Sequence, residues 1–297
     1  MDKDPQKTLL DLQPTKEFFI GIDSDGCAFD TMEIKHKECF CPNTVKYFNL
    51  QMISKYVREA WDFVNLYSKS RGCNRFHALI KVMDLLRERP EVIMRKAKIP
   101  DMTPIIEWTK IETKLGNPAL KKYVEGKTEP VLLSALKWSL SINEDIEKMV
   151  YGIPPFPYMR ESLEKMESKA DALVVSQTPT DALVREWEEH NISKHVRIIA
   201  GQEYGTKKEH IKLAGKGKYP EQKMLMIGDA PGDREAASAN GILFFPINPG
   251  HEEKSWERFY KEGLDKFFAG TFAGKYEEEL IKEFEGYLPA TPPWKKP

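Results

Sequence analysis

Phe18-Phe19-Ile20-Gly21-Ile22-Asp23-Ser24-Asp25-Gly26 is the stretch on which the reading of the whole chain turns. An apolar run passes without polar interruption into two aspartates and a glycine. A continuous run of this kind, rather than an alternating one, reads as a strand buried on both faces, as in a parallel sheet covered by helices. Four later runs share that character: Ala172 to Val175, Val196 to Ala200, Met224 to Ile227 and Ile242 to Ile247. Helical stretches at Asp181–His190, Lys208–Ala214 and Arg234–Asn240 separate the last four. Strand–helix–strand alternation predicts an α/β fold with a Rossmann-like three-layer core and a parallel sheet.

One interval breaks the rhythm. Roughly 150 residues lie between the first run and the second, where a crossover needs about a dozen. Apolar residues there recur at helical steps, as in Val45, Phe48, Met52, Tyr56, Ala60, Phe63 and Tyr67, which predicts one helix over Val45–Ser70. Further helices are predicted at Phe76–Arg89, Pro104–Thr113 and Val131–Val150. Residues 1–31 and 155–297 are therefore read as a discontinuous α/β core, and residues 32–154 as an inserted all-α domain. The Pro154-Pro155-Phe156-Pro157 linker returns the chain to the core through a helix at Tyr158–Ser168. Glu252–Glu262 and Tyr276–Gly286 read as surface helices, and the proline-rich Pro289–Pro297 as a tail that drapes over the surface or frays.

Composition narrows the function. With 45 Lys+Arg against 46 Asp+Glu and a net charge of -1, the 297-residue chain has no global field for a polyanion, and no nucleic-acid partner is expected. Its apolar runs are far shorter than the roughly 18 residues of a membrane span, so no membrane partner is expected either. The first residues lack the apolar segment and cleavage site of a secretory signal, and four cysteines are too few for a disulfide framework; both predict a cytoplasmic protein.

In an open α/β sheet, ligands bind beyond the carboxyl ends of the strands. Three runs end there in polar groups: Asp23-Ser24-Asp25-Gly26, Ser176-Gln177-Thr178-Pro179, and Gly228-Asp229-Ala230-Pro231-Gly232-Asp233. Each has an ordinary structural reading. Asp-Ser-Asp-Gly makes a turn. Thr178 and Pro179 make a helix N-cap and first helical position. Gly228 to Asp233 can be a loop into the next helix. Those readings do not account for order and placement together, since all three segments would converge at one edge of the sheet.

The constellation resembles the haloacid dehalogenase superfamily, a family made up mostly of phosphatases. Its motifs are a strand ending in DxD and Gly (Phe18–Gly26), a strand ending in Ser or Thr (Ala172–Ser176), a Lys at a helix start, and a strand followed by GD and a second Asp (Met224–Asp233). The resemblance covers residues of about 15–30 and 158–248, and one subgroup of the family places a helical cap between the first two motifs. Two positions depart from the pattern: Cys27-Ala28 stands where a Thr-Leu pair is usual, and Gly232 where several branches have Asn. Neither removes a charged group.

The resemblance implies a magnesium-dependent phosphatase acting on a small phosphorylated metabolite. Asp23 would be the nucleophile that forms an aspartyl-phosphate, and Asp25 the general acid and then base. Mg2+ would be held by Asp23, Asp229 and the backbone carbonyl of Asp25, with Asp233 either a ligand through water or the holder of the lysine. Ser176 and the backbone near Gln177 would bind phosphate oxygens, helped by the helix starting at Thr178. The lysine is Lys207 or Lys208; Lys207 is preferred because Ile211 then falls four residues on, at a buried helix position. The carboxylate at Asp25 sets phosphate transfer apart from dehalogenation, in which a halide needs no proton. In the insertion, Arg71 and Arg75 of Ser70-Arg71-Gly72-Cys73-Asn74-Arg75 could clamp an anionic leaving group, or could simply belong to a helix connection. A phosphomutase or phosphotransferase acting on a sugar phosphate would use the same core residues, and a binding protein could retain the fold without catalysis.

Overall fold

The computed structural model describes residues 4–295. The apolar runs become five parallel strands: β1 (Phe18–Ile22), β2 (Ala170–Val175), β3 (Ile198–Ala200), β4 (Met224–Gly228) and β5 (Leu243–Pro246), in the order β3-β2-β1-β4-β5. β1 is central, with Ile20 opposite Ala172 on one side and Leu225 on the other. Successive side chains of a strand point to opposite faces. Phe18, Ile20 and Ile22 thus join Leu225, Ile227 and Phe245 in one core, while Phe19 joins Leu173, Val175, Met226 and Phe244 in the other. Two buried faces are the reason the runs are continuous in sequence.

The chain steps from β1 outward to β2 and β3, then returns to the other side of β1 with β4. That reversal puts the switch point of the sheet between β1 and β4, where ligands bind in open α/β folds. Asp23 directly follows β1, and Asp229 directly follows β4.

The chain divides into two compact units, Met1–Thr31 with Gly152–Leu288, and Met32–Tyr151 with Pro289–Pro297. This differs from the expected division at the tail, which groups with the helical unit rather than with the α/β core. Residues 1–3 and 296–297, the outermost parts of the expected core segments, lie outside the described residues.

In the α/β unit, Glu252–Arg258 continues through a wider turn at Phe259–Gly263 into Leu264–Phe268. Its outer face carries the exposed Glu253, Lys254, Lys261 and Glu262, while Trp256, Phe259, Leu264 and Phe267 are buried, and the Phe259 ring lies 4.8 Å from that of Phe245 on β5. In the helical unit, the expected helix Val45–Ser70 is two, Cys41–Tyr47 and Ser54–Asn65, separated where Asn49 takes a left-handed φ of 55°. Asparagine tolerates that conformation better than most residues. The core of this unit is aromatic, with Phe76 edge-on to both Trp108 (4.8 Å) and Trp138 (5.9 Å). Among the described residues no helix is long and apolar enough to cross a membrane.

Candidate active site

The turn after β1 is built by hydrogen bonds from its own backbone. The carbonyl of Ser24 accepts from the N–H groups of Cys27 (3.3 Å), Ala28 (2.9 Å) and Phe29 (3.1 Å), and Gly26 N–H donates to Phe29 O (2.8 Å). Gly26 has a φ of 76°, which only glycine adopts without cost. The Cys27-Ala28 departure is a packing feature, since both residues are fully buried and Trp256 Nε1 donates to the Cys27 carbonyl (2.7 Å).

At the end of β4, Gly228 has a different task. A Cβ on it would lie 2.4 Å from the Asp233 side chain. The glycine leaves room for Asp233 to fold back over the helix start and accept from the N–H groups of Asp229 (3.2 Å) and Ala230 (3.0 Å). Pro231 opens that helix, Pro231–Asn240, where its missing N–H costs nothing.

The lysine comes from the loop after β3. Thr206 caps the helix Lys207–Gly215: its hydroxyl accepts from Glu209 N–H (3.3 Å), and Glu209 accepts in return from Thr206 N–H (2.7 Å). That reciprocal pair fixes Lys207 as the first helical residue. Its Nζ lies 2.6 Å from Asp23 Oδ2 and 2.6 Å from Asp233 Oδ1. Lys208 is exposed, so of the two lysines it is Lys207 that reaches the carboxylates.

Asp23, Asp229 and Asp233 are all buried, and each offers a carboxylate oxygen within 4.8 Å of the others. Three carboxylates against one ammonium leave surplus negative charge, and a compact set of hard oxygen donors fits a small divalent cation. The Asp23 carboxyl is held well above the usual carboxylate range; burial is the main cause, Lys207 opposes it, and Asp233 and Asp229 add to it. For Lys207, burial works against the charge, but Asp23 and Asp233 outweigh it and keep the ammonium protonated above the ordinary lysine range.

The side chain of Asp25 takes no part in this trio. Its Oδ1 accepts from the Thr31 hydroxyl (2.5 Å) and its Oδ2 from the Thr178 hydroxyl (2.6 Å). Thr178 is therefore not the helix N-cap that sequence suggested; the helix runs Thr180–Glu189 with Pro179 as its cap residue, and the Thr178 hydroxyl is spent on Asp25. Both threonines were missed as site residues, because a hydroxyl partner six residues away, or on another strand end, leaves no sequence signal.

The remaining predicted residues divide. Ser176 is buried at the end of β2, and its Oγ accepts from Thr178 N–H (3.2 Å). Gln177 is exposed, and its side-chain amide donates to Gly205 O (2.9 Å) and Ser176 O (3.2 Å), bracing the two loops against each other. Arg71 and Arg75 are engaged inside the helical unit. Arg71 is buried and donates to Leu66 O (2.9 Å). Arg75 donates to Ser139 Oγ (3.0 Å) and Asn143 Oδ1 (2.8 Å), with its guanidinium 5.1 Å from the centre of the Phe40 ring.

No protein-family model and no curated protein matches the sequence. Solved structures do. Three of the solved structures it resembles are described as follows. A hydrolase of the haloacid dehalogenase-like family from Streptococcus pneumoniae is 17% identical, with 84% of this chain and 92% of that chain covered and a TM-score of 0.45. A haloacid dehalogenase-like family hydrolase from Xanthomonas campestris is 10% identical over 88% and 97% of the two chains, with a TM-score of 0.47. A third, described as a predicted phosphoglycolate phosphatase from Haemophilus somnus, is 16% identical over 81% and 89%, with a TM-score of 0.41.

Proposed function

We propose that the chain is a magnesium-dependent phosphatase of haloacid dehalogenase type, acting on a small phosphomonoester. The observation that carries this reading is the placement of Lys207 between Asp23 and Asp233, with Asp229 beside them, at the switch point of the sheet. Asp23, Asp229 and Asp233 would hold the cation, together with the backbone carbonyl of Asp25. When bound, it supplies positive charge to a dianionic phosphate that a carboxylate nucleophile would otherwise repel.

In the first step an oxygen of Asp23 attacks phosphorus, the bond from phosphorus to the leaving oxygen breaks, and that oxygen takes a proton from Asp25. In the second, water attacks phosphorus while Asp25 takes its proton, and the bond to Asp23 breaks to free phosphate. The two threonines suit both stages, since a hydroxyl donates to a carboxylate and accepts from a carboxylic acid. Ser176 and Lys207 would neutralise the phosphate oxygens, and the inserted helical unit would serve as a cap that reads the leaving group.

Purified protein with magnesium should release phosphate from an aryl phosphate, and Asp23→Asn should abolish release in a protein that keeps the wild-type circular dichroism spectrum. An active Asp23→Asn protein would overturn the mechanism. Isomerised sugar phosphate in place of free phosphate would make the chain a mutase.

A further inference from the structure

Ser24 stands between the two aspartates, is fully buried, and is polar at a point where the chain has just left the apolar centre of the sheet. Consecutive side chains of an extended segment point to opposite sides, so Ser24 faces away from Asp23 and Asp25. All of its polar groups are used. Its N–H donates to Asp23 Oδ1 (2.8 Å), and its carbonyl accepts the three N–H groups that close the turn. Its hydroxyl donates to Glu186 Oε2 (3.1 Å) and accepts from Trp187 Nε1 (3.0 Å). Glu186 and Trp187 lie in the last turn of the helix Thr180–Glu189, and the Trp187 ring packs edge-on against Phe29, at 5.9 Å, at the far end of the same turn.

We propose that Ser24, Glu186 and Trp187 form a bracket that sets the position of the Asp23–Asp25 turn, with Glu186 as a positioning residue for the phosphatase reaction; this rests on the function proposed above. The helix Thr180–Glu189 thereby governs both aspartates. Its C-terminal turn holds Ser24 through Glu186 and Trp187, and Thr178, two residues before its N-terminus, holds Asp25. A hydroxyl alone rotates freely, but one that must donate to a carboxylate and accept from an indole has a single orientation. The Glu186 oxygen accepts the one proton the hydroxyl has to donate, so the loss of that acceptor frees Ser24. A displacement of about 1 Å at a reacting carboxylate is enough to cost about a hundredfold in rate.

The test uses Glu186→Leu, which removes the acceptor at a half-buried helix position, and Glu186→Gln, which keeps an acceptor oxygen. The readouts are aryl phosphate kinetics with magnesium and amide hydrogen exchange of residues 23–29. The bracket predicts that Glu186→Leu lowers kcat about tenfold to a hundredfold with KM within about twofold. Exchange at Cys27, Ala28 and Phe29 should rise in that variant, and Glu186→Gln should stay close to wild type in both readouts. Unchanged kcat and exchange in Glu186→Leu would overturn the bracket. A uniform rise in exchange across the chain, with kcat and KM moving together, would also overturn it, since Glu186 would then be merely structural. If the wild type released no phosphate, the function would fall, and exchange in the turn would still decide the bracket.

Discussion

Replacing Lys207 by Met should expose how the acidic cluster is held together. Lys207 Nζ touches Asp23 and Asp233 at 2.6 Å each, and both carboxylates are almost fully removed from water. Methionine fills much of the same volume without charge, so packing is nearly retained and electrostatics dominate the change. Removing one partner of a buried ion pair costs about 3–5 kcal/mol, because the other is left charged and uncompensated. Here one ammonium serves two carboxylates with a third, Asp229, alongside, which points to the upper part of that range. In a domain of this size about 1 kcal/mol moves the melting temperature by roughly 2–4 °C, so a drop of about 10–20 °C is expected. The assay is thermal unfolding of wild type and variant in a chelator. Magnesium at a hundredfold excess over its dissociation constant should then return about 2.7 kcal/mol to a protein that binds it only when folded. A variant that melts within about 2 °C of wild type in the chelator would refute the reasoning, since the carboxylates would not then depend on Lys207.

Three further predictions come from groups beside the site, at the amino end of β2 and in the helical unit. His210 is fully buried, and burial, with Lys207 adding to it, pushes its imidazole down to about 4, while the Gly205 backbone pulls the other way. The unfolded chain therefore binds the extra proton first, so stability is full above pH of about 6.5 and falls by up to about 3 kcal/mol as pH drops towards 4; His210→Gln should flatten that slope in urea titrations. Asp171 accepts from Thr15 N–H (2.7 Å), Arg197 (2.6 Å) and the Tyr219 hydroxyl (2.7 Å). Burial raises its pKa, but these bonds together outweigh burial and hold the carboxyl below its ordinary range. The stability it contributes is present above pH of about 4 and lost below it, and Asp171→Asn should cost about 3–5 kcal/mol at neutral pH. Trp294, half-buried, packs edge-on to Phe63 at 5.8 Å and stacks on the Arg89 guanidinium at 4.4 Å, so Trp294→Ala should destabilise the helical unit by about 1–2 kcal/mol in calorimetry.

Particular elements mark what could be read in one dimension. β1 could be read to the residue because a strand buried on both faces must be continuously apolar and stop where polar groups begin. The aspartates could be read because carboxylates directly after such strands have no packing role to fill. Lys207 could be preferred to Lys208 only through the phase of its helix; in the fold Ile211 is buried one turn on, and it is Lys207 that meets Asp23 and Asp233. Helix Val45–Ser70 was overextended because its apolar spacing persists across Asn49, where a single left-handed residue breaks the helix without altering the pattern. The tail at Pro289–Lys295 gave no hint of its place, because its Trp294 meets the Phe63 ring and the Arg89 guanidinium, more than 200 residues earlier.

The sequence by itself determined the sheet, the insertion and the charged groups, since each rests on composition within a few residues. The tertiary structure decided which partner each charged group meets. Thr31 and Thr178 meet Asp25, Glu186 and Trp187 meet Ser24, and Ser139 and Asn143 meet Arg75. A hydrogen bond is specified by distance and direction at the moment two elements pack together, and Thr178 and Asp25, 153 residues apart, carry no mark of it in order or spacing.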